Sequence, residues 1–394
     1  MTLAIDGGKP LLKKMNFDVK PGPDEIKSVV SAMKKGHLSS FEGKNTVAEF
    51  EKRFANYHSS KYAVAFNTGT SSIHAAVGAM NAKRGGEVIV PSTTFITSVT
   101  PMLIEGLRPV FVDIDKNTLG INPKLVKEAI NENTVGILPT HLLGFPCDIV
   151  KIKKLAQDNG LFLIEDCAQA HGAEVDEKKV GTFGDAGCFS FFLSKNMTTG
   201  EGGMTITDKD FVSAELKTMR QCGKPDPQVS NFSRLAFNYR MNDLSAAVGL
   251  PQLKKLDSNN KHRRKVASIY KKRFGKIGFA LLPEREGVLP AYYKFPVFLP
   301  DGMSNKKHYF SSALRAENAN TDSFNSVPLT KVGFLQEMGI REKYNQRFWE
   351  KNFEVSEMVD KKMVVFPVQS NIPLERVEGI CDAVEKVVKY GNWK

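Results

Sequence analysis

Nowhere in its 394 residues does the chain string together the ~18 uncharged apolar residues that a membrane-crossing helix needs. Its start, Met1 to Met15, has lysines but no apolar run of about 7–15 residues ahead of a small-residue cleavage site, so no secretory leader is expected and the chain reads as cytoplasmic. Cysteine is scarce. Cys147, Cys167, Cys188, Cys222 and Cys381 are odd in number, widely spaced and never in a Cys-x-x-Cys pair, which argues against a disulfide framework and against a zinc site. They are expected to be buried thiols. The Gly-x-x-x-x-Gly-Lys-Ser/Thr phosphate loop, His-Glu-x-x-His, the Gly-x-Ser-x-Gly elbow and the dinucleotide fingerprint are all missing, and with them the signatures of several large enzyme classes. There is no internal repeat and no low-complexity tract.

What is present is ordinary for a globular protein: 41% apolar and 25% charged residues, which sets disordered and collagen-like chains aside. The length exceeds one domain of ~100–200 residues, so two domains are expected. Lys and Arg number 55 against 43 Asp and Glu, a net charge of +12, so the surrounding field favours anionic partners, either nucleic acid or a phosphorylated metabolite.

From about Lys61 to Asp208, short apolar runs alternate with helical stretches, the rhythm of a doubly wound α/β domain. Strands are expected at Tyr62–Phe66, Glu87–Val90, Pro109–Asp113, Val135–Pro139, Leu161–Glu165, Cys188–Phe192 and Gly203–Thr207. Helices are expected at Ser71–Met80, Thr94–Glu105, Pro123–Ile130 and Ile149–Asn159. Strands with so little polarity suit a mostly parallel sheet covered on both faces. After Asn242 a helical pattern runs to about Phe274, with a kink expected at Gly249 and Pro251, where the domains would join. The expected division is a large domain over 1–255 and a smaller α+β domain over 256–394, the latter with a strand in Tyr292–Leu299 and helices at Lys306–Ala316 and Pro373–Tyr390. Residues 319–345 show no steady period and read as loop or short helices.

Four local patterns carry chemistry. Lys195 lies just past an apolar strand and just before the glycine-rich turn Gly200-Glu-Gly-Gly203, with Phe191, Phe192 and Met204 nearby in sequence. A lysine that must attack a carbonyl needs a neutral amine, obtained by lowering its ~10.4 reference pKa through desolvation or neighbouring positive charge. The ordinary reading is a surface lysine in a hairpin. Leu161-Phe-Leu-Ile-Glu165-Asp166 delivers an acidic pair to the C-terminal end of a buried strand, the edge where ligands bind in open α/β sheets. Such a pair can serve a metal, general acid–base chemistry or a pyridinium nitrogen. No ligating His follows at metal-like spacing, and His171, standing alone, reads as structural. Phe66-Asn-Thr-Gly69-Thr70-Ser71-Ser72, at a strand end opening a helix, offers backbone N–H groups and a helix dipole to a phosphate, although the same residues cap helices without any ligand. Phe95 starts the next helix and is placed to lie flat on a ring; taken alone it reads as core. Together the four fit one cofactor, pyridoxal 5′-phosphate.

Lys195-Asn-Met-Thr-Thr-Gly-Glu-Gly-Gly203, Ile164-Glu-Asp166-Cys-Ala-Gln169-Ala-His-Gly-Ala173, Gly69-Thr70-Ser71 and Phe237-Asn238-Tyr239-Arg240-Met241 together resemble the DegT/DnrJ/StrS family of sugar aminotransferases, over about Ala4 to Asp257. The resemblance implies the aspartate aminotransferase-like fold type I: a large domain with a mostly parallel seven-stranded sheet flanked by helices, plus a smaller C-terminal α+β domain. It also implies a homodimer with shared active sites. Lys195 then matches the lysine that forms an aldimine with pyridoxal phosphate, Asp166 the ring-nitrogen partner, Gln169 a cofactor contact and Phe95 the stacking aromatic. Thr70 and Ser71 match the backbone phosphate cradle, Ser190 a phosphate-binding hydroxyl, and Asn238 a residue reaching the phosphate from the neighbouring subunit. The implied reaction takes an amino group from glutamate or glutamine, through pyridoxamine 5′-phosphate, to a nucleotide-linked keto-sugar or a keto-cyclitol. Ala4-Ile-Asp-Gly-Gly-Lys-Pro10 and Arg220-Gln-Cys-Gly223 look most like members acting on cyclitols or aminohydroxybenzoate-type rings. Family members that are dehydratases replace the lysine with histidine; Lys195 disfavours that branch, which stays as the alternative within the family. A nucleic-acid-binding alternative rests on the basic stretch Lys254 to Arg273, but no nucleic-acid module accompanies it and basic helices are usually solvated faces. No membrane partner and no metal are expected.

Overall fold

A computed structural model describes residues 2–15, 21–39, 45–226, 228, 230–319, 321–323, 327–337 and 353–393. The strands in chain order are β1 (Tyr62–Phe66), β2 (Glu87–Pro91), β3 (Arg108–Val112), β4 (Thr134–Ile137), β5 (Phe162–Asp166), the short β6 (Glu174–Val175) and β7 (Lys178–Lys179), β8 (Ala186–Ser190) and β9 (Gly203–Thr207). Seven of them form one sheet in the order β1-β9-β8-β5-β4-β2-β3. The ladders β3/β2, β2/β4, β4/β5 and β5/β8 are parallel, and β9 runs antiparallel to both β8 and β1. The expected strands are present with ends shifted by a residue or two.

The period of two along each strand explains the two cores. Ala63, Ala65 and Ile89 point into one cluster with Phe50, Phe54 and Phe191, while Val64, Phe66, Val88 and Val90 point into another with Ile73, Met102 and Met219. Each such aliphatic or aromatic side chain contributes roughly 1.5–3 kcal/mol by leaving water. A third cluster lies in the C-terminal part. There β11 (Phe295–Phe298) and β12 (Asp322–Ser323) both pair antiparallel with β13 (Met363–Phe366), and β10 (Val288–Leu289) extends the β6/β7 hairpin. Helices Lys307–Ala316 and Leu374–Tyr390 contribute Phe310, Leu314, Val377 and Val384 to that cluster.

Several expectations are corrected. Thr94–Glu105 is not one helix: a 3-10 turn at Ile96–Ser98 is followed by a short helix at Thr100–Ile104. Pro101 cannot continue a helix begun at Thr94, because it lacks the N–H and its ring clashes with the preceding turn, so the helix restarts with proline in its first turn. Conversely, Asp243–Lys276 is one continuous helix through Gly249 and Pro251. Gly249 is a packing residue: a Cβ there would sit 2.6 Å from the Phe50 ring. The helix places Leu253 and Leu256 in a sheet core and Val266, Tyr270 and Phe274 in the C-terminal core, so it ties the two together. The first residues of the chain also join the C-terminal core. Leu3 is buried in it, and Glu317 accepts the N–H groups of Ala4 (2.9 Å) and Leu11 (2.8 Å). Residues 321–323 and 327–337 include the short β12, a 3-10 turn at Leu329–Lys331 and a short helix at Gly333–Glu337, while 320, 324–326 and 338–345 lie outside the described residues.

Part of the basic stretch is engaged by the fold, while Lys254, Lys261, Lys265 and Lys272 are exposed. Lys255 pairs with Asp24 and Glu25, Lys271 with Glu284, and Arg273 with Glu378, Asp382 and Glu385, while Arg263 is buried. Among the described residues no helix is long and apolar enough to cross a membrane. Four cysteines are buried; Cys222 is only half-buried.

Candidate active site

Strand alternation separates the acidic pair at the end of β5. Glu165 turns inward, where it accepts N–H groups from Gly181 (2.8 Å), Phe183 (2.7 Å) and Gly184 (2.8 Å) and lies 3.1 Å from His141 Nε2. The Cys147 N–H donates to His141 Nδ1 at 3.2 Å, so that nitrogen carries a lone pair and the imidazole proton sits on Nε2, facing Glu165. His141, Glu165 and Cys167 have ligand atoms within 4.8 Å of one another. Their lone pairs are already engaged, however, and burial pushes the Cys167 thiol far above its ordinary pKa. The trio is a hydrogen-bonded support under the strand end.

Asp166 turns the other way, with 4% of its surface exposed. Its Oδ2 accepts from Ser98 Oγ at 2.6 Å and its Oδ1 from the Ala168 N–H at 3.0 Å. Ser98 is braced by Thr94, whose hydroxyl lies 2.9 Å from both Ser98 Oγ and Thr140 Oγ1. The break in the expected helix thus puts a hydroxyl on Asp166.

β8 stops at Ser190, and the chain bends to bring in Lys195 half-buried, with its N–H on Phe192 O at 3.0 Å. Burial lowers its pKa below 10.5, and the charge of Asp166 opposes that shift. Phe191 and Met204 are fully buried nearby in sequence, whereas Phe192 is 46% exposed. The Lys195 Nζ stands 4.9 Å from the centroid of the Tyr293 ring, and the Tyr293 hydroxyl lies 2.8 Å from Ser194 Oγ. The next residue, Asn196, is anchored to Asn260 (3.1 Å) and to Ala291 O (2.9 Å). The turn after it is closed by Thr198 and Thr199: the Gly200 N–H reaches Thr198 Oγ1 at 2.9 Å, and Thr199 Oγ1 reaches Glu201 O at 2.6 Å. His171 is fully buried beside Phe189 and Phe191. Burial, helped by the charge of Lys195, holds its pKa well below the ordinary value, so the ring is neutral.

At the far side, helix Gly69–Ala79 is capped by Thr68, whose hydroxyl accepts the Ser71 N–H at 3.1 Å. The Ser71 hydroxyl donates to Asn67 Oδ1 at 2.6 Å. Ser71 is therefore spent on the cap, and the N–H groups of Gly69 and exposed Thr70 have no acceptor in the helix. A Cβ on Gly69 would stand 2.6 Å from Ser190 Cβ and 2.9 Å from Ser190 Oγ, so only glycine lets this hydroxyl reach the helix N-terminus. The result is a small cradle of two N–H groups and one hydroxyl.

Phe95 begins the turn that carries Ser98 and is 66% exposed, a ring left uncovered beside the Asp166 brace. Gln169 Oε1 accepts the Leu143 N–H at 2.7 Å, which fixes the amide in the loop after Asp166. Asn238 is exposed, and its Oδ1 accepts the Arg240 N–H at 3.2 Å, a local turn. Its segment runs beside the cradle of its own chain: the Asn67 N–H bonds Tyr239 O at 2.9 Å, and Phe66 bridges Arg240. Sequence reasoning missed Ser98, Tyr293 and Asn260. Tyr293 and Asn260 reach the site from far along the chain, and no local pattern marks them.

Residues 20–385 match the DegT/DnrJ/EryC1/StrS aminotransferase family. The chain is 36% identical over 253 residues to GDP-perosamine synthase of Vibrio cholerae, covering 64% of this chain and 69% of that protein. It is 33% identical over 316 residues to L-glutamine:2-deoxy-scyllo-inosose aminotransferase of Streptomyces kanamyceticus, covering 76% and 74%. A crystal structure of an aminotransferase from Psychrobacter cryohalolentis superposes with a TM-score of 0.83 at 26% identity, covering 96% of this chain and 99% of that one.

Proposed function

This chain belongs to the DegT/DnrJ/EryC1/StrS aminotransferase family, and from that premise we propose that Lys195 and Asp166 carry a pyridoxal phosphate-dependent transfer of an amino group from glutamate or glutamine to a nucleotide-linked keto-sugar. A keto-cyclitol is the second acceptor class, favoured by the similarity to the scyllo-inosose enzyme. The observation that carries the reading is a half-buried lysine of lowered pKa set against the buried, hydrogen-bonded Asp166.

The residues fit the cofactor. Gly69 and Thr70 N–H with Ser190 Oγ form a phosphate-sized cradle that a Cβ on residue 69 would fill. Asp166 presents a buried carboxylate to a ring N–H, Gln169 stands beside it, and the exposed face of Phe95 is available to cover a planar ring. When bound, the pyridinium ring supplies an electron sink for charge developing at the donor Cα. Lys195 Nζ, neutral more readily than an exposed lysine because burial penalises its charge, is the group that would hold the cofactor by its aldehyde. Once free, the same Nζ would be the base that takes a proton from the donor Cα and the acid that returns one. Asn196, Thr198 and Thr199 fix the turn that aims this lysine, and Ser98 holds Asp166 in place.

The functional unit is a homodimer. Ile26, Val30 and Met33 form an exposed apolar stripe on helix Pro23–Lys34, and Leu235 (85% exposed) and Phe237 flank Asn238. Surface of this kind supports a second copy, with Asn238 directed to the phosphate of the partner site. The location is the cytoplasm.

The purified protein is expected to be yellow, and borohydride reduction followed by peptide mass spectrometry should place the pyridoxyl label on Lys195. Lys195→Ala should fold and lose the visible band. A band that survives reduction, or a label on another lysine, overturns the assignment.

A further inference from the structure

The turn that faces Lys195 is held in a conformation that its residues would not choose. Tyr292 sits in the left-handed region at φ 47°, which is uncommon for a bulky side chain and persists only where the surroundings over-determine it. They do so here. The Ala291 N–H donates to Gly144 O at 2.9 Å and the Tyr293 N–H to Leu143 O at 2.9 Å, while a Cβ on Gly144 would stand 2.8 Å from the amide nitrogens of both Tyr292 and Tyr293. Arg263, buried on the helix Asp243–Lys276, donates from Nη1 to Tyr292 O at 3.2 Å and to Tyr293 O at 3.5 Å. Asn196, the neighbour of Lys195, donates to Ala291 O at 2.9 Å. What this bracing delivers is the Tyr293 ring, its centroid 4.9 Å from Lys195 Nζ and its hydroxyl 2.8 Å from Ser194 Oγ. Among the described residues no carboxylate and no hydrogen-bond acceptor is paired with that amine.

Resting on the reading of Lys195 as the lysine of the amino transfer, we propose that Tyr293 is a positioning residue for it: the π-face of the ring is where the protonated amine rests between taking a proton and returning one. A carboxylate in direct contact would hold that proton firmly, and a purely aliphatic wall would disfavour the ammonium. A ring face lies between the two, because its quadrupole attracts a cation without presenting a full charge. The other charged and titratable groups around the amine do not replace it. Asp166 favours the ammonium through its charge but is hydrogen-bonded to Ser98 and the Ala168 N–H. His171 is buried and neutral, Arg263 directs Nη1 to the two carbonyls, and Lys294 Nζ, 6.0 Å from the same ring centroid, is a second cation.

The test is competitive acetylation of the full chain prepared without pyridoxal phosphate, following the Lys195 peptide by mass spectrometry across pH in the wild type, Tyr293→Phe and Tyr293→Leu. Tyr293→Phe keeps the ring face and should leave the titration midpoint of Lys195 within about 0.3 units. Tyr293→Leu keeps an apolar cover without the face and should lower the midpoint by about 0.5–1.5 units, so that acetylation below the midpoint runs roughly 3–30-fold faster. A ring that served only to bury the amine predicts the opposite sign, because water admitted by the smaller side chain stabilises the ammonium. If Tyr293→Leu does not fold, the ring of Tyr293→Phe is fluorinated stepwise, which keeps its shape and drains its negative face, and the midpoint should fall with each fluorine. A midpoint that rises or stays fixed as the face is removed overturns the proposal, as does a Tyr293→Phe midpoint as low as that of Tyr293→Leu. The readout needs no cofactor: a pyridoxyl label on another lysine would overturn the assignment of Lys195, whereas a fixed midpoint overturns only the role of Tyr293.

Discussion

The two ends of the candidate site are built on opposite plans. Around Asp166 the chain closes on itself: both carboxylate oxygens accept hydrogen bonds, Ser98 is braced by Thr94, and Glu165 is tied down by three backbone N–H groups. Around Gly69 and Asn238 the chain is open, with Thr70, Phe237 and Asn238 exposed and two N–H groups that have no acceptor within the helix. A single chain is thus sufficient to hold a charge at the closed end, whereas the open end leaves donors and apolar surface facing solvent. That contrast is consistent with the proposed cofactor site completed at a subunit interface.

The largest expected effect breaks the closed end. Asp166→Asn keeps the shape and removes the charge, so cofactor binding should persist while single-turnover transamination falls by about 10²–10⁴-fold. Near-normal turnover would show that another group faces the ring nitrogen. At the open end, Gly69→Ala drives a methyl into Ser190, a clash of the kind that costs ~1–3 kcal/mol, and should weaken pyridoxal phosphate binding by roughly tenfold or more, read by titration of the visible band. Unchanged affinity would remove the cradle from the phosphate.

A mixing experiment sharpens the comparison further. A Lys195→Ala subunit combined with an Asn238→Ala subunit should regain one intact site per heterodimer, up to about a quarter of wild-type activity in a statistical mixture. With subunit exchange confirmed and both parents defective, no recovery would return Asn238 to the turn-forming role its bond to Arg240 already gives it.

The smallest effect is in pH. Because burial lowers the folded-state pKa of Lys195 below 10.5, the unfolded chain binds more protons between the two values. The contribution of this lysine to stability therefore rises with pH across that window and is fully present above the unfolded pKa. The neutral amine is also available earlier. The rate at which apoprotein develops the visible band on adding pyridoxal phosphate should climb with pH and level off before 10.5. A climb that continues to 10.5 would mean that the lysine is not desolvated.

Much of this was legible in the sequence because it depends on neighbours along the chain. Short apolar runs alternating with helical stretches mark β1 to β5, β8 and β9, and a strand end determines where Asp166 and Ser190 emerge. A glycine turn after Lys195 determines that the lysine is held. The strand pattern alone places Glu165 and Asp166 together without saying which of them faces the site, a choice that only the family resemblance made, because it depends on which side of the sheet each loop packs. Only the tertiary structure brought Ser98 to Asp166, set Tyr293 under Lys195, spent Ser71 on a cap, carried Leu3 into the C-terminal core and kept Asp243–Lys276 continuous through Pro251. Local periodicity reports backbone geometry and the burial of one face. Contacts between residues a hundred positions apart are decided by how those faces pack, and one chain read in order carries no record of that.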